Sequence, residues 1–358
     1  MKNYAIILAG GIGSRFWPLS SELEPKQFLE LGASRPMIEE TIDRVSRLIK
    51  KDNVYIATNK MYYKKIKKYL SRFDIPFKNV LLEPESKNTL APIGFLSKRI
   101  YDINPEAVCA VLPCDHFVKN RNRFLKLLSK GMDIAKLGYI VTLGIPPTRP
   151  ETGYGYIKIS SELRAQSSEQ YCKVIKFIEK PNLKKAKEFL KDKRYYWNSG
   201  IFIFRPEAML KEMKKLKPDV YRIIMRLKDK GYLGRLWHKL PAISIDYAIM
   251  EKTQNTVLLP ADYGWIDLGS WQAIEELAKK DKDGNISRGN CINIGSKNTL
   301  TWSDKRVVAA LGLKNIIIVD TKDALLVCAK DRTQDVKKVV RILKKKKNKK
   351  IFEEISRY

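Results

Sequence analysis

The stretch Tyr4-Ala-Ile-Ile-Leu-Ala-Gly10-Gly11-Ile-Gly13-Ser-Arg15 runs a short apolar strand straight into a glycine cluster. Two cations follow, Arg15 itself and Lys26 in Pro25-Lys-Gln-Phe-Leu29. Glycines reach backbone angles closed to other residues, so several N–H groups can converge on one anion. Full positive charge beside those dipoles makes a floor for phosphates. Two better-known loops are excluded. No Gly-x4-Gly-Lys-Ser/Thr run is present, and Phe16 stands where a dinucleotide fingerprint needs its third glycine.

Working outward, short apolar runs at Tyr4–Leu8, Val54–Thr58, Val80–Leu82, Ala107–Leu112 and Ile140–Leu143 alternate with helical patterns at Met37–Ile49, Met61–Leu70, Leu90–Tyr101 and Phe124–Leu137. Alternation of this kind predicts right-handed β-α-β units, an α/β fold and a Rossmann-like, mostly parallel sheet. Ligands then bind beyond the carboxyl ends of the strands. The glycine loop, Glu83-Pro84 and Pro113-Cys-Asp115-His116 all sit at such ends. Further strands are expected at Tyr154–Ile159, Val174–Ile178, Ile201–Phe204 and Thr256–Leu259. Helices are expected at Leu183–Leu190, Pro206–Leu216, Val220–Lys228, Ile245–Glu251 and Ser270–Lys279, the first capped by Asn182. From Gly284 the chain reads as short β segments with no internal repeat, then a helix over Gln334–Leu343. The expected division is a catalytic domain over residues 1–283 and a small β-rich domain over 284–358.

The 358 residues carry 69 Lys+Arg against 39 Asp+Glu, a net charge of +30. The excess is scattered except for the block Lys344–Lys350, so a lysine-rich solvated surface that attracts anionic substrates is expected, and nucleic acid is not the expected partner. Five cysteines form no C-x-x-C pair, which fits reduced thiols and a cytoplasmic location. The first apolar run breaks at glycine after Ala9, so neither a signal peptide nor a membrane span is expected. With only two histidines, a histidine-built zinc site is not expected.

Asp115 and Asp267, the latter in Gly264-Trp-Ile-Asp267-Leu-Gly-Ser-Trp271, are acids from distant segments that together suit magnesium, a hard cation that takes phosphate and water as its other ligands. Either alone could equally be a turn former or a helix cap. His116 is expected to hold structure by hydrogen bonding. Glu179-Lys180-Pro181 offers a carboxylate for hydroxyls and a point charge for phosphate. Gly153-Tyr-Gly155-Tyr and Trp197-Asn198-Ser-Gly add close backbone approach, aromatic walls and an amide, a mixture that suits a sugar. No activated nucleophile is present, consistent with phosphoryl-type transfer by positioning and charge neutralisation.

In order along the chain, Leu8-Ala-Gly-Gly-x-Gly-Ser-Arg15, Trp17-Pro-Leu, Pro25-Lys-Gln-Phe-Leu, Glu83-Pro with Asn88-Thr89, Pro113-x-Asp-His116, Glu151-Thr-Gly-Tyr-Gly-Tyr-Ile, Phe177-x-Glu-Lys-Pro, Trp197-Asn-Ser-Gly, Ser244-Ile-Asp246-Tyr-Ala-Ile-Met-Glu251 and Gly264-Trp-x-Asp-x-Gly-Ser-Trp271 resemble the mannose-1-phosphate guanylyltransferase family, also called GDP-mannose pyrophosphorylases. The resemblance implies a glycosyltransferase-A-like nucleotidyltransferase fold, GTP and mannose 1-phosphate as substrates, Mg2+ as cofactor and a homodimer. It implies that Leu8, Gly10, Gly11, Gly13, Ser14 and Arg15 hold the nucleotide phosphates, with Lys26 near the reacting centre. Glu83, Asn88 and Thr89 should lie by the guanine, and Asp115 and Asp267 on the metal. Gly155, Glu179, Lys180, Asn198 and Asp246 should surround the sugar phosphate. This sequence departs from the family pattern at Ser14 for threonine, Phe16 for leucine, Lys87 for arginine and Cys114 for alanine. Longer members carry a phosphomannose isomerase domain, which is not expected here. A sister pyrophosphorylase with another sugar or nucleotide is the nearest alternative, and a basic nucleic-acid binder a distant one.

Overall fold

In the computed structural model, residues 1–11, 13–166, 169–228, 233–269 and 271–345 are described. Ser270, expected to open a helix, and most of the Lys344–Lys350 block lie outside them. The chain forms two compact units, one of Met1–Gly10, Thr41–Cys114 and Val118–Trp265, the other of Gly11–Glu40, Asp115–Phe117 and Ile266–Tyr358. The sequence reading draws a single boundary at 283/284. By compactness, residues 11–40 also fall with the later part of the chain.

The strands before residue 268 are β1 (Asn3–Ala9), β2 (Val54–Asn59), β3 (Val80–Glu83), β4 (Val108–Pro113), β5 (His116–Val118), β6 (Ile140–Ile145), β7 (Tyr156–Gln166), β8 (Glu169–Ile178), β9 (Tyr195–Phe204), β10 (Thr256–Pro260) and β11 (Trp265–Asp267). The first unit is built on a nine-stranded sheet in the order β3-β2-β1-β4-β9-β6-β10-β8-β7. Its first half has the expected parallel wiring, β1 pairing in parallel with both β2 and β4, and β2 with β3. Helices joining these strands cover both faces, so Ala5, Ile6 and Ile7 are wholly buried and the strand reads as a continuous apolar run. Helix Leu90–Ile103 packs Ile93, Leu96 and Ile100 into a core shared with Ile6, Val111, Phe202 and Met213.

Beyond β4 the mostly parallel expectation gives way to mixed pairing. β9 runs antiparallel to both β4 and β6, and β8 antiparallel to β7 and β10, while β6 and β10 are parallel. For β7 and β8 the reason is local, since no helix separates them and strands joined without a crossover pair antiparallel; the partners of β9 and β10 are remote in sequence. Asn182 caps helix Leu183–Lys191 as expected, accepting from Lys185 N at 2.9 Å. The expected helix at Ile245–Glu251 is instead a π-helical turn over Asp246–Met250.

The second unit holds β12 (Ile286–Ile294), β13 (Leu300–Leu311), β14 (Ile316–Asp320) and β15 (Leu325–Ala329) in one sheet. β12, β13 and β14 stack in parallel, and β15 returns antiparallel. The two segments expected at Thr299–Trp302 and Val307–Leu311 are one strand. The stacking exposes a repeat absent from the sequence reading: Gly295-x-Lys-Asn298 recurs as Gly312-x-Lys-Asn315. The glycine and asparagine of both turns have positive φ, Lys297 bridges Lys314, and Asn298 Nδ2 donates to Asn315 Oδ1 at 2.7 Å. Phe16, Leu31, Met37, Trp271, Trp302, Ile317 and Val319 form this unit's core. No helix among the described residues is long and apolar enough to cross a membrane.

Candidate active site

In the second unit the glycine loop closes on a lysine. Gly13 takes φ +70, and a Cβ there would overlap the Lys26 Cβ, so only glycine admits the approach. The turn is fastened by Phe16 N donating to Gly13 O at 2.9 Å and Ser20 Oγ donating to the same oxygen at 2.7 Å. Ser14 opens the 3-10 turn Ser14–Phe16. Phe16 then buries its ring edge-on against Trp271, with centroids 5.3 Å apart.

Pro25 starts a second 3-10 turn, Lys26–Phe28, which leaves Lys26 only 4% exposed. A buried ammonium demands counter-charge. Lys26 Nζ donates to Asp115 Oδ2 at 2.8 Å and lies 3.7 Å from Asp267 Oδ1. Burial pushes the Asp115 carboxyl up, but the charges of Lys26 and His116 and the Lys26 hydrogen bond outweigh it and bring it down to about 2. His116 Nε2 stands 3.9 Å from Asp115 Oδ1, close enough to act on it through charge but beyond hydrogen-bond distance. Arg15 Nη1 donates to Gly269 O at 3.3 Å, and Gly269 N to Asp267 O at 2.7 Å. The structure thus brings Gly13, Arg15, Lys26, Asp115 and Asp267 together. The two carboxylates that meet on Lys26 are hard oxygen donors of the kind a magnesium ion takes. Among the described residues no three acidic, His or Cys side chains form a larger metal cluster.

In the first unit, β3 ends on Glu83, buried beside Gly10: a Cβ on Gly10 would lie 3.3 Å from Glu83 Oε1. Glu83 Oε2 is buried without a hydrogen-bond partner. Burial pushes this carboxyl up from 4.5 to about 7, opposed by a hydrogen bond from the Lys87 backbone. A carboxyl held in reserve at a strand end is suited to accept N–H donors of a base. Asn88, at φ +61, accepts from Thr89 N at 2.9 Å, and Thr89 Oγ1 accepts from Ile245 N at 2.8 Å. Lys87 reaches His238 O at 3.0 Å and Glu85 at 2.6 Å, while His238 pairs with Glu85 at 2.8 Å. This Glu85–Lys87–His238 clasp pins the loop after β3, and it is absent from the sequence reading because nothing local links residues 85 and 238. Leu8 contributes its backbone, accepting from Cys114 N at 3.1 Å, and a Cβ on Gly11 would meet open space.

The five residues expected around a sugar phosphate lie together in the same unit. A Cβ on Gly155 would lie 2.5 Å from Glu179 Oε2 and 3.3 Å from Asn198 Cβ. Asn198 Nδ2 donates to Asp246 Oδ1 at 3.0 Å, and Lys180 pairs with Glu179. Burial first, then the negative charge of Glu179, pushes Asp246 up to about 6. Two further residues hold the cluster: Glu251 accepts from Glu179 N at 2.9 Å, and Thr142 donates to Asn198 Oδ1 at 3.4 Å. Tyr154 meets Trp197 and Trp265 edge-on at 5.3 and 5.2 Å, giving an aromatic wall.

Comparison with known proteins follows the same lines. A family model described as nucleotidyl transferase matches residues 4–284, and one described as a MannoseP isomerase/GMP-like beta-helix domain matches residues 289–343. Mannose-1-phosphate guanylyltransferase 2 of Escherichia coli O157:H7 is 37% identical over 353 residues, 95% of this chain and 73% of its own. A putative mannose-1-phosphate guanylyltransferase of Vibrio cholerae is 38% identical over 366 residues, 99% of this chain and 77% of its own. Among solved structures, one from Thermus thermophilus described as a mannose-1-phosphate geranyltransferase superposes with a TM-score of 0.85 at 30% identity, covering 96% of this chain and 100% of that one.

Proposed function

Because this chain belongs to the nucleotidyl transferase family, we propose that it transfers GMP from GTP to mannose 1-phosphate, giving GDP-mannose and pyrophosphate. The observation that carries the chemistry is the convergence of Asp115 and Asp267 on buried Lys26. Relatives bearing the guanylyltransferase name at 37–38% identity over nearly the whole chain support the choice of substrates.

A phosphate oxygen of mannose 1-phosphate attacks the α-phosphorus of GTP. A new P–O bond forms as the α–β bridge breaks, and pyrophosphate carries away the electron pair. The nucleophile is already ionised at neutral pH, so no general base is needed. Lys26 and Arg15 oppose the negative charge that builds on the phosphates, and preorganised cations in a site of low polarity are worth more than the same charges in water. Asp115 and Asp267 would hold a magnesium ion, which neutralises phosphate charge when bound. Glu83, with its unpaired oxygen, would accept from the guanine edge. Lys180 would meet the sugar phosphate, while Glu179 and Asn198 take sugar hydroxyls. The same reading takes the enzyme to act as a homodimer in the cytoplasm; five cysteines that form no disulfide among the described residues support a reducing compartment.

Pyrophosphate release measured with ATP, CTP, GTP and UTP against mannose 1-phosphate and glucose 1-phosphate tests the assignment. Release with GTP and mannose 1-phosphate above every other pair is expected. A preference for another pair would overturn the substrate assignment, and light scattering showing a monomer would overturn the dimer.

A further inference from the structure

A cationic cavity lies in the first unit, lined by none of the residues assigned above. Its volume is about 670 Å³, and Arg47, Lys119, Arg121, Arg123 and Tyr263 contribute to its walls. Two segments form it. Lys119 N donates to Gly264 O at 3.0 Å and Asn120 N to Tyr263 O at 2.9 Å, lacing residues 119–120 to 263–264. The approach is so close that a Cβ on Gly264 would lie 2.5 Å from Lys119 Cβ, and Gly264 takes φ +66 to allow it. Helix Arg121–Ala135 starts in the cavity, capped by Asn120, which accepts from Arg123 N at 3.0 Å.

The charges are unequal. Four cations face one lining carboxylate, Asp262, which sits 3.6 Å from Arg123. Arg121 is held by Asp43 at 2.6 Å from outside the lining. Arg47 and Lys119 are exposed and have no carboxylate within ion-pair distance among the described residues. Like charges gathered without counter-charge repel, and an arriving anion relieves that repulsion. The volume falls in the range of roughly 300–1,000 Å³ that small-molecule sites occupy. The cations gather around one shallow depression and not in a stripe along a face, which favours a compact anion over a nucleic-acid strand.

We propose that this cavity is a second anion site, taking a phosphorylated small molecule of nucleotide size. Arg121 and Arg123 offer planar forks for phosphate oxygens, Arg47 and Lys119 supply the uncompensated charge, and the Asn120 and Asn122 amides add neutral donors and acceptors.

Isothermal titration of the full chain with inorganic pyrophosphate and with GDP tests this, comparing wild type with the double variant Arg47→Gln, Lys119→Gln. Wild type is expected to show a class of sites beyond the catalytic one for at least one probe. In the double variant that class weakens by about tenfold or more, the scale of one lost charge-assisted contact. Arg47→Lys with Lys119→Arg should retain it. Both positions are exposed, so the fold should stand, and basal turnover should stay within about twofold of wild type because neither residue is among those assigned to the substrates or the metal. A single class of sites in wild type for both probes, or isotherms unchanged by the double variant, overturns the proposal. Loss of single-stranded RNA binding in that variant, with pyrophosphate and GDP isotherms intact, overturns it in favour of a polyanion surface.

Discussion

At the scale of single residues Lys26 is the hub of the cluster, since one buried ammonium gathers both acids. Replacing Asp267 by asparagine removes charge but keeps shape. The variant should fold with wild-type circular dichroism yet lose turnover by at least about a hundredfold at ordinary magnesium, recovering in part as magnesium is raised. Near-normal turnover at low magnesium would remove Asp267 from the metal assignment. Glu83 makes a different prediction. Its carboxyl is raised from 4.5 to about 7 in the folded chain, so between those values the native state holds a proton that the unfolded chain has lost. Stability contributed by the protonated form is complete below about pH 4.5 and falls as pH rises to about 7, by roughly 3 kcal/mol. Denaturant unfolding should therefore show wild type losing that much more stability than Glu83→Gln between about pH 4 and pH 8. Parallel pH profiles would mean that the native carboxyl is not raised. Asp246 shifts in the same direction, which is why the comparison is with the Glu83 variant and not with a flat baseline.

Elements were legible to the degree that their signals were local. The strand Asn3–Ala9, the helix Pro206–Leu216 and the strand Ile316–Asp320 all stand where apolar runs, Pro at N1 and Gly placed them. Asn182 caps its helix because a short side chain at that position satisfies a free N–H. Strands β8 and β9 were found, but not their direction, because pairing partners are chosen by segments far apart in the chain. The stacked strands of the second unit hid their repeat for a related reason: only the turn residues recur, while the strands between them differ. Gly289 belongs to that stack. It sits at φ +80 where the β12–β13 register shifts, and a Cβ would overlap the backbone oxygen of Ser303. Gly289→Ala should cost about 2–4 kcal/mol, combining left-handed strain with a clash that backbone cannot easily relieve. Hydrogen exchange should show the loss concentrated in β12 and β13, with strands β1–β4 unchanged. Wild-type protection at β12 would refute the clash.

For the molecule as a whole, the net charge of +30 is the dominant property. Both proposed substrates are anions, so the field should speed their capture and be screened by salt, with a Debye length near 10 Å at 0.1 M. The ratio kcat/KM for mannose 1-phosphate should fall several-fold between about 20 and 200 mM NaCl, mainly through KM. A salt-independent ratio would show that the scattered lysines do nothing for substrate capture. The sequence by itself determined the α/β class, the glycine-and-cation make-up of the first loop and, through its family resemblance, the candidate site residues. It could do so because glycine conformations, charge and strand-end placement are set by residue type and near neighbours. Only the tertiary structure decided which acids share Lys26, that Glu83 keeps an unpaired buried oxygen, that Asn198 binds Asp246, and that Arg47 and Lys119 line one cavity. Each of those depends on burial and on distances between residues remote in sequence, and no local pattern encodes either.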